Sequence, residues 1–216
     1  MPLFYQHDIN QSTKLAIWKI EEEEHFFTSK VTLQREIKHP LKRLQHLAGR
    51  YLLAYLFPDF PFEEILIADT LKPYLPLEQY HFSISHCGHY AAAIVSSSER
   101  VGIDIEIPTA RVLKIVHKFL SEKERLDFNL QPYHLDAANC LQPTLLWSAK
   151  EAMFKWWGWG EVDFKEMLQI EAFILKENGM TNARFVWYPY SHDLQINYKV
   201  MPDLCLTWVS TESPAI

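Results

Sequence analysis

A chain of 216 residues is long enough for one large domain or two small ones. Its composition, 48% hydrophobic, 14% aromatic and 22% charged, is that of a folded globular protein and excludes a disordered one. A formal net charge of -6 excludes a generic nucleic-acid binder, whose balance would be basic.

The opening MPLFYQHDINQSTK lacks the basic segment followed by an apolar one that marks a secretory signal. The alternation in KLAIWKI (14–20) predicts a strand, and EEEE (21–24) a solvated face or helix start. Residues 30–57 are expected to be helical, interrupted near Pro40, because Leu44, Leu47, Tyr51, Leu52, Tyr55 and Leu56 recur at helical spacing. EILIAD (64–69) reads as a short strand. YHFSISH (80–86) and YAAAIVS (90–96) read as two strands turning at Cys87-Gly88-His89, and RVGIDIEI (100–107) is expected to extend them into a three-stranded meander. A helix carrying Val112, Ile115, Val116 and Phe119 follows. Ser121 and Glu124 form the S-x-x-E capping box of another, and a third runs from about Thr144 to Trp157, stopped by Gly158. LQIEAFIL, ARFVWYPY, LQINYKV and LCLTWVS are strand-like. The order predicts an α+β protein in two halves, 1–100 and 101–216. No apolar run approaches membrane-spanning length. Cys87, Cys140 and Cys205 form no CxxC pair, so neither a zinc site nor a disulfide framework is suggested. A reduced, cytoplasmic protein is expected.

Within VGIDIEIP (101–108), Asp104 and Glu106 are two apart and project to one face of a strand, opposite Ile103, Ile105 and Ile107. Two carboxylates so placed call for a positive partner, or else face solvent at a sheet edge. In WSAKEAMFKWWG (147–158), Glu151 and Lys155 share a helix face. They are a favoured surface pair, unless Trp147, Phe154, Trp156 and Trp157 bury them. Taken together, Asp104, Glu106 and Glu151 make an all-oxygen site suited to Mg²⁺, and a nearby lysine suits a phosphate oxygen. FSISH adds Ser83, Ser85 and His86 near a strand end. Residues 30–50 carry Lys30, Arg35, Lys38, Lys42, Arg43 and Arg50 against Glu36 alone, either a local anion site or a solvated helix face.

The ordered set FSISH, VGIDIE and WSAKEAMFK resembles the 4'-phosphopantetheinyl transferase superfamily. Its signatures are a G-(I/V)-D-(I/V)-E strand and a W-(S/C)-x-K-E-(A/S)-x-x-K helix. LKPYLP is similar to the family's G-K-P element, with Leu71 standing where the family often has Gly. Cys87 follows His86 where a Ser is common. The length resembles the Sfp-like class, which implies two pseudo-symmetric α+β halves in one chain and a monomer.

The resemblance implies transfer of the 4'-phosphopantetheine arm of coenzyme A to a serine of an apo acyl or peptidyl carrier protein, releasing 3',5'-ADP. Asp104, Glu106 and Glu151 would hold Mg²⁺, or Mn²⁺ in its place, with the coenzyme A pyrophosphate. Glu151 would take the serine proton and Lys155 would neutralise the pyrophosphate. Ser85 and His86 would hold coenzyme A phosphates, Arg50 the 3'-phosphate, Arg35 and Lys38 further phosphate contacts, and Lys72 the nucleotide end. TARVLKIVHKFL (109–120), with Arg111, Lys114 and Lys118 among Val112, Leu113 and Val116, would face an acidic carrier helix. Neither nucleic acid nor membrane is an expected partner. Two other readings use the same residues: a Mg²⁺-dependent phosphohydrolase, and a non-catalytic coenzyme A or carrier-binding module.

Overall fold

The computed structural model describes residues 2–32, 36–131 and 139–212. They form an α+β chain that divides into two compact units. One comprises the residues up to Ile103 together with those from Ser210 onward; the other is Asp104–Val209.

In the first unit β1 (Leu3–Asp8) pairs antiparallel with β2 (Thr13–Lys19), the strand that KLAIWKI predicted. β1 was not legible in the sequence, because LFYQHD is a half-exposed edge without clean alternation. A short helix α1 (Glu24–Thr28) follows, then α2 (Pro40–Leu56). The helix expected over 30–57 therefore starts only at Pro40, and described residues 30–32 and 36–39 are not helical before it. The proline ring disfavours helical backbone in the residue before it. His39 is accordingly extended (φ -76, ψ 118), and its Nδ1 accepts from the Lys42 N–H at 3.4 Å, capping the helix.

Short strands β3 (Leu66–Ile67) and β4 (Pro73–Tyr74) pair with each other, so EILIAD supplies only two strand residues. β5 (His81–Cys87) and β6 (Tyr90–Ser96) form the expected hairpin. The sheet order is β1-β2-β6-β5. Ala91, Ala93 and Val95 of β6 line the core that Leu47, Ala48, Leu52 and Leu53 of α2 fill. Their small side chains let the helix lie close. Gly49 shows how close: a Cβ there would stand 2.6 Å from Cγ2 of Ile84 on β5. The stiff β-branched Ile84 cannot turn aside. Gly49→Ala should therefore cost about 1–3 kcal/mol by overpacking, read as a lower urea midpoint with an unchanged slope.

β7 (Glu99–Glu106) begins in the first unit and ends in the second. It does not extend the hairpin into a meander. Both edges of β6 are already taken, by β2 and β5, and β7 joins a second sheet of order β7-β11-β10-β9-β8. The other strands of that sheet are β8 (Leu168–Ile170), β9 (Asn178–Trp187), β10 (Tyr190–Val200) and β11 (Cys205–Glu212).

Between β7 and β8, the single helix expected around residues 112–119 is instead a 3-10 turn, Val112–Lys114, followed by α3 (Val116–Phe119). The capping box opens α4 (Glu122–Asp127) as expected: Ser121 Oγ accepts from Glu124 N–H, and Glu124 Oε2 accepts from Ser121 N–H at 2.8 Å. α5 (Leu141–Trp157) ends at Gly158, whose φ of 78 is the left-handed cap glycine adopts without strain. Leu146, Ala149, Met153 and Trp156 of α5 pack with Leu168, Phe185, Leu194, Ile196 and Val209 of the sheet. Lys150, on the same helix, is fully buried. Its ammonium donates at 2.8 Å to Glu124 Oε2 and to the carbonyls of Phe119 and Phe164, while Glu124 Oε1 accepts from Ile170 N–H. No helix is long and apolar enough to cross a membrane among the described residues.

Candidate active site

β7 and α5 hold the residues singled out by the sequence. On a helix, Trp147, Glu151 and Lys155 follow one another at one-turn intervals and share a face. That face meets the end of β7 at two points. Lys155 Nζ donates to Asp104 Oδ1 at 2.6 Å, and Trp147 Nε1–H donates to Glu106 Oε1 at 3.2 Å. Glu151 lies between these two contacts along the helix. Lys155 was expected to pair with Glu151 one turn away; it forms an ion pair with Asp104, and its charge also acts on Glu151. Asp104 is almost wholly buried, 4% exposed in its side chain, and Lys155 is 25% exposed.

Glu151 carries the strain of this crowding. Burial first, then the neighbouring Asp104 and Glu106, push its carboxyl up from the ordinary 4.5 to about 7, against the opposing effect of Lys155. The three carboxylates thus share one electrostatic neighbourhood. Among the described residues, however, no three His, Cys, Asp or Glu side chains are gathered as a ready metal site. An oxygen-only donor set on a buried strand and helix fits a hard divalent cation, with the Lys155 ammonium now lying against Asp104.

The other expected residues lie in the first unit, Arg35 excepted, which falls outside the described residues. Arg50 is buried on α2, directly after the close-packed Gly49. Lys38 is exposed. Arg43, of the same basic run, is taken up structurally: it pairs with Glu24 at 2.7 Å and donates to the Ile37 carbonyl at 2.9 Å, tying α1 to α2. Ser85 is buried and His86 exposed; as neighbours on β5 they point to opposite faces. Ser83 Oγ, on the Ser85 face, accepts from the Ile103 N–H at 3.2 Å.

Lys72 sits in a group the sequence did not reveal. Burial, and then the neighbouring Arg100 guanidinium, push Lys72 down to about 8, with Glu78 opposing. Burial also lowers His81, followed in effect by Glu78 acting upward and by Arg100 and Lys72 acting downward. Three nitrogen bases against one carboxylate favour an anion. Arg100 and His81 are separated by 19 positions, and nothing in their spacing announces the meeting. Leu71, before Lys72, has φ 66, so this chain keeps with leucine the left-handed turn that glycine takes freely. In the segment 109–120, Val112 and Val116 are core, whereas Arg111, Lys114 and Lys118 are among the exposed residues. Of the apolar part of the expected carrier-facing surface, Val112 and Val116 are interior and Leu113 is half-buried.

Residues 100–204 match the family model of the 4'-phosphopantetheinyl transferase superfamily. Over this stretch the chain is similar to that superfamily. The match contains both β7 carboxylates and all of α5. Enterobactin synthase component D of Escherichia coli (strain K12) is 38% identical over 120 residues, 53% of this chain and 54% of that protein. The Shigella flexneri protein of the same name is 37% identical over a stretch of the same length. A Haemophilus influenzae protein, provisionally named a 4'-phosphopantetheinyl transferase, is 31% identical over 132 residues, 58% of this chain and 54% of that one. The chain therefore spans about half the length of the curated relatives it matches.

Proposed function

We propose that this chain is a member of the superfamily and transfers the 4'-phosphopantetheine arm of coenzyme A to a serine hydroxyl of an apo carrier protein, releasing 3',5'-ADP. The observation that carries the reading is the meeting of Asp104 and Glu106 on β7 with Glu151 and Lys155 on α5, inside the matched stretch. Relatives named as an enterobactin synthase component favour a carrier belonging to a multi-component synthase, of the peptidyl or acyl kind. A sheet and a long helix in each unit support the two-half, Sfp-like class and, with it, a monomer.

In this reaction the serine oxygen attacks the phosphorus that bears the pantetheine arm, the bond to the 3',5'-ADP oxygen breaks, and the serine proton must leave. Glu151, which burial and then Asp104 push up to about 7 when no cation is bound beside it, is proposed to accept that proton. Lys155 offers positive charge to the departing phosphate oxygen. Asp104, Glu106 and Glu151 would hold Mg²⁺ or Mn²⁺, which when bound supplies Lewis-acid stabilisation of the pyrophosphate. Arg50, Lys38, Lys72, Ser85 and His86 are proposed to bind coenzyme A, and Arg35 with them. Exposed Arg111, Lys114 and Lys118 are proposed to meet an acidic carrier helix.

Intact-protein mass spectrometry tests the reading. Incubation with coenzyme A, Mg²⁺ and an apo peptidyl or acyl carrier protein should raise the carrier mass by one phosphopantetheine arm, and EDTA should abolish the gain. Release of phosphate from coenzyme A without any carrier modification would replace the transferase by a phosphohydrolase. Tight coenzyme A binding without turnover on either carrier would point to a binding module.

A further inference from the structure

Trp147 shares the α5 face of Glu151 and Lys155 but has no part in the transfer step proposed above. Its side chain has one polar atom, and that atom goes to Glu106: Nε1–H donates to Oε1 at 3.2 Å. An indole nitrogen only donates, and it carries no charge. It therefore does not neutralise Glu106; it holds one oxygen of that carboxylate in one place. We propose that Trp147 is a positioning residue, which fixes the side-chain conformation of Glu106 and so aims its carboxylate into the neighbourhood shared with Asp104 and Glu151. This deepens the proposed function and rests on it.

The indole is itself held rigidly. Phe164 stacks on it, with ring centres 5.6 Å apart and planes 22° from parallel, and Phe119 meets it edge-on at 5.1 Å and 70°. Phe154, also on α5, packs against the far partner Phe164 at 5.6 Å. Both walls are fixed through their backbones. Lys150 Nζ donates at 2.8 Å to the carbonyl of Phe119 and to that of Phe164, and Glu124 holds Lys150 in turn. Lys150 lies one turn along α5 from Trp147, so a single helix carries the indole and the cation that fixes its walls. Glu106 has the greater need of such a hold. It is the last residue of β7 and half-buried, on a long flexible side chain whose ordering costs entropy. Asp104, shorter and almost wholly buried, is fixed by its surroundings. The charge of Glu106 also reaches Glu151, so a change in where that carboxylate points is felt at the proposed base. Phenylalanine in place of Trp147 would keep the ring contacts and lose the donor.

The test joins a spectrum to kinetics. In protein labelled with ¹⁵N-tryptophan, the indole N–H signal of Trp147 is picked out from those of the seven tryptophans by its loss in Trp147→Phe. Glu106→Gln should move that signal upfield in the proton dimension, because a charge-assisted hydrogen bond becomes a neutral one. Trp147→Phe should lower kcat for carrier modification roughly ten- to a hundredfold, the range for a lost hydrogen bond to a charged group. Its KM for coenzyme A and its urea midpoint should stay near those of the unaltered protein. A merely structural tryptophan would lower the midpoint and leave kcat of the folded protein alone. Should the Phe variant not fold, Trp147→Leu serves for both arms. An unchanged kcat, or an indole signal that Glu106→Gln leaves in place, overturns the positioning role while the transferase reading stands. Absence of carrier modification by the unaltered protein overturns that reading and the role with it, and the indole signal then reads the hydrogen bond alone.

Discussion

Glu151→Gln should abolish carrier modification and, at the same time, make the protein more stable at alkaline pH. Loss of a positioned base lowers the rate by about 10²–10⁴-fold. The stability gain follows from the raised carboxyl. Between its ordinary 4.5 and about 7, the folded protein holds a proton that the unfolded chain has released. Stability therefore falls as pH rises through that window, and the whole penalty is present above about 7. Each pKa unit corresponds to about 1.4 kcal/mol, reduced here because the side chain is partly exposed. In EDTA at pH 8 the Gln variant should exceed the unaltered protein by about 1–2 kcal/mol in urea unfolding, and near pH 4 the two should coincide. Mass spectrometry of the carrier reads the activity. Near-normal transfer by Glu151→Gln would remove Glu151 from the mechanism. Identical stability at pH 8 would show that the carboxyl is not held under the burden that its burial and neighbours imply.

The largest loss of stability should come from Lys150, the residue before Glu151. Its ammonium is fully buried and satisfied by one carboxylate and two carbonyls, and Glu124 in turn serves Ser121 and Ile170. One ion pair thus joins α3, α4, α5, β8 and the loop at Phe164. Burial holds Lys150 down to about 8, and Glu124 acts against that fall, so the two charges depend on each other. Lys150→Met leaves a buried carboxylate without its counter-charge, and Glu124→Gln leaves a buried ammonium. Either should cost about 3–5 kcal/mol in urea unfolding at pH 7. The double variant should cost clearly less than the sum, since the two substitutions remove one interaction. Strict additivity would mean that the pair is not coupled, and a loss below about 1 kcal/mol would place it among weak surface pairs.

Much of this was legible in the sequence where the signal is local. Alternation located β2, β5 and β6, the S-x-x-E box located the start of α4, and Gly158 located the end of α5. The strand VGIDIE and the helix WSAKEAMFK were legible for the same reason: side-chain period fixes which residues share a face. What was not legible is pairing at a distance. Period says which face of β7 carries Asp104, not which sheet β7 joins, and the hairpin offered β6 as a neighbour although its edges were filled. Lys155 met Asp104, 51 positions away. Lys150 was not singled out, because its partner lies 26 positions off. Val112 and Val116 looked available to a partner because a 3-10 turn and a short helix bring them inward in a way that simple helical spacing does not show.

β7 stands at the edge of its sheet, with β11 as its neighbour there. The strand that carries Asp104 and Glu106 is therefore completed by a segment made about a hundred residues later, a long-range pairing of the kind that slows folding. During synthesis the two carboxylates emerge early but gain their sheet neighbour only when β11 has left the ribosome. A chain cut before β11 would carry both motifs in full and still lack the sheet neighbour that β7 hydrogen-bonds to.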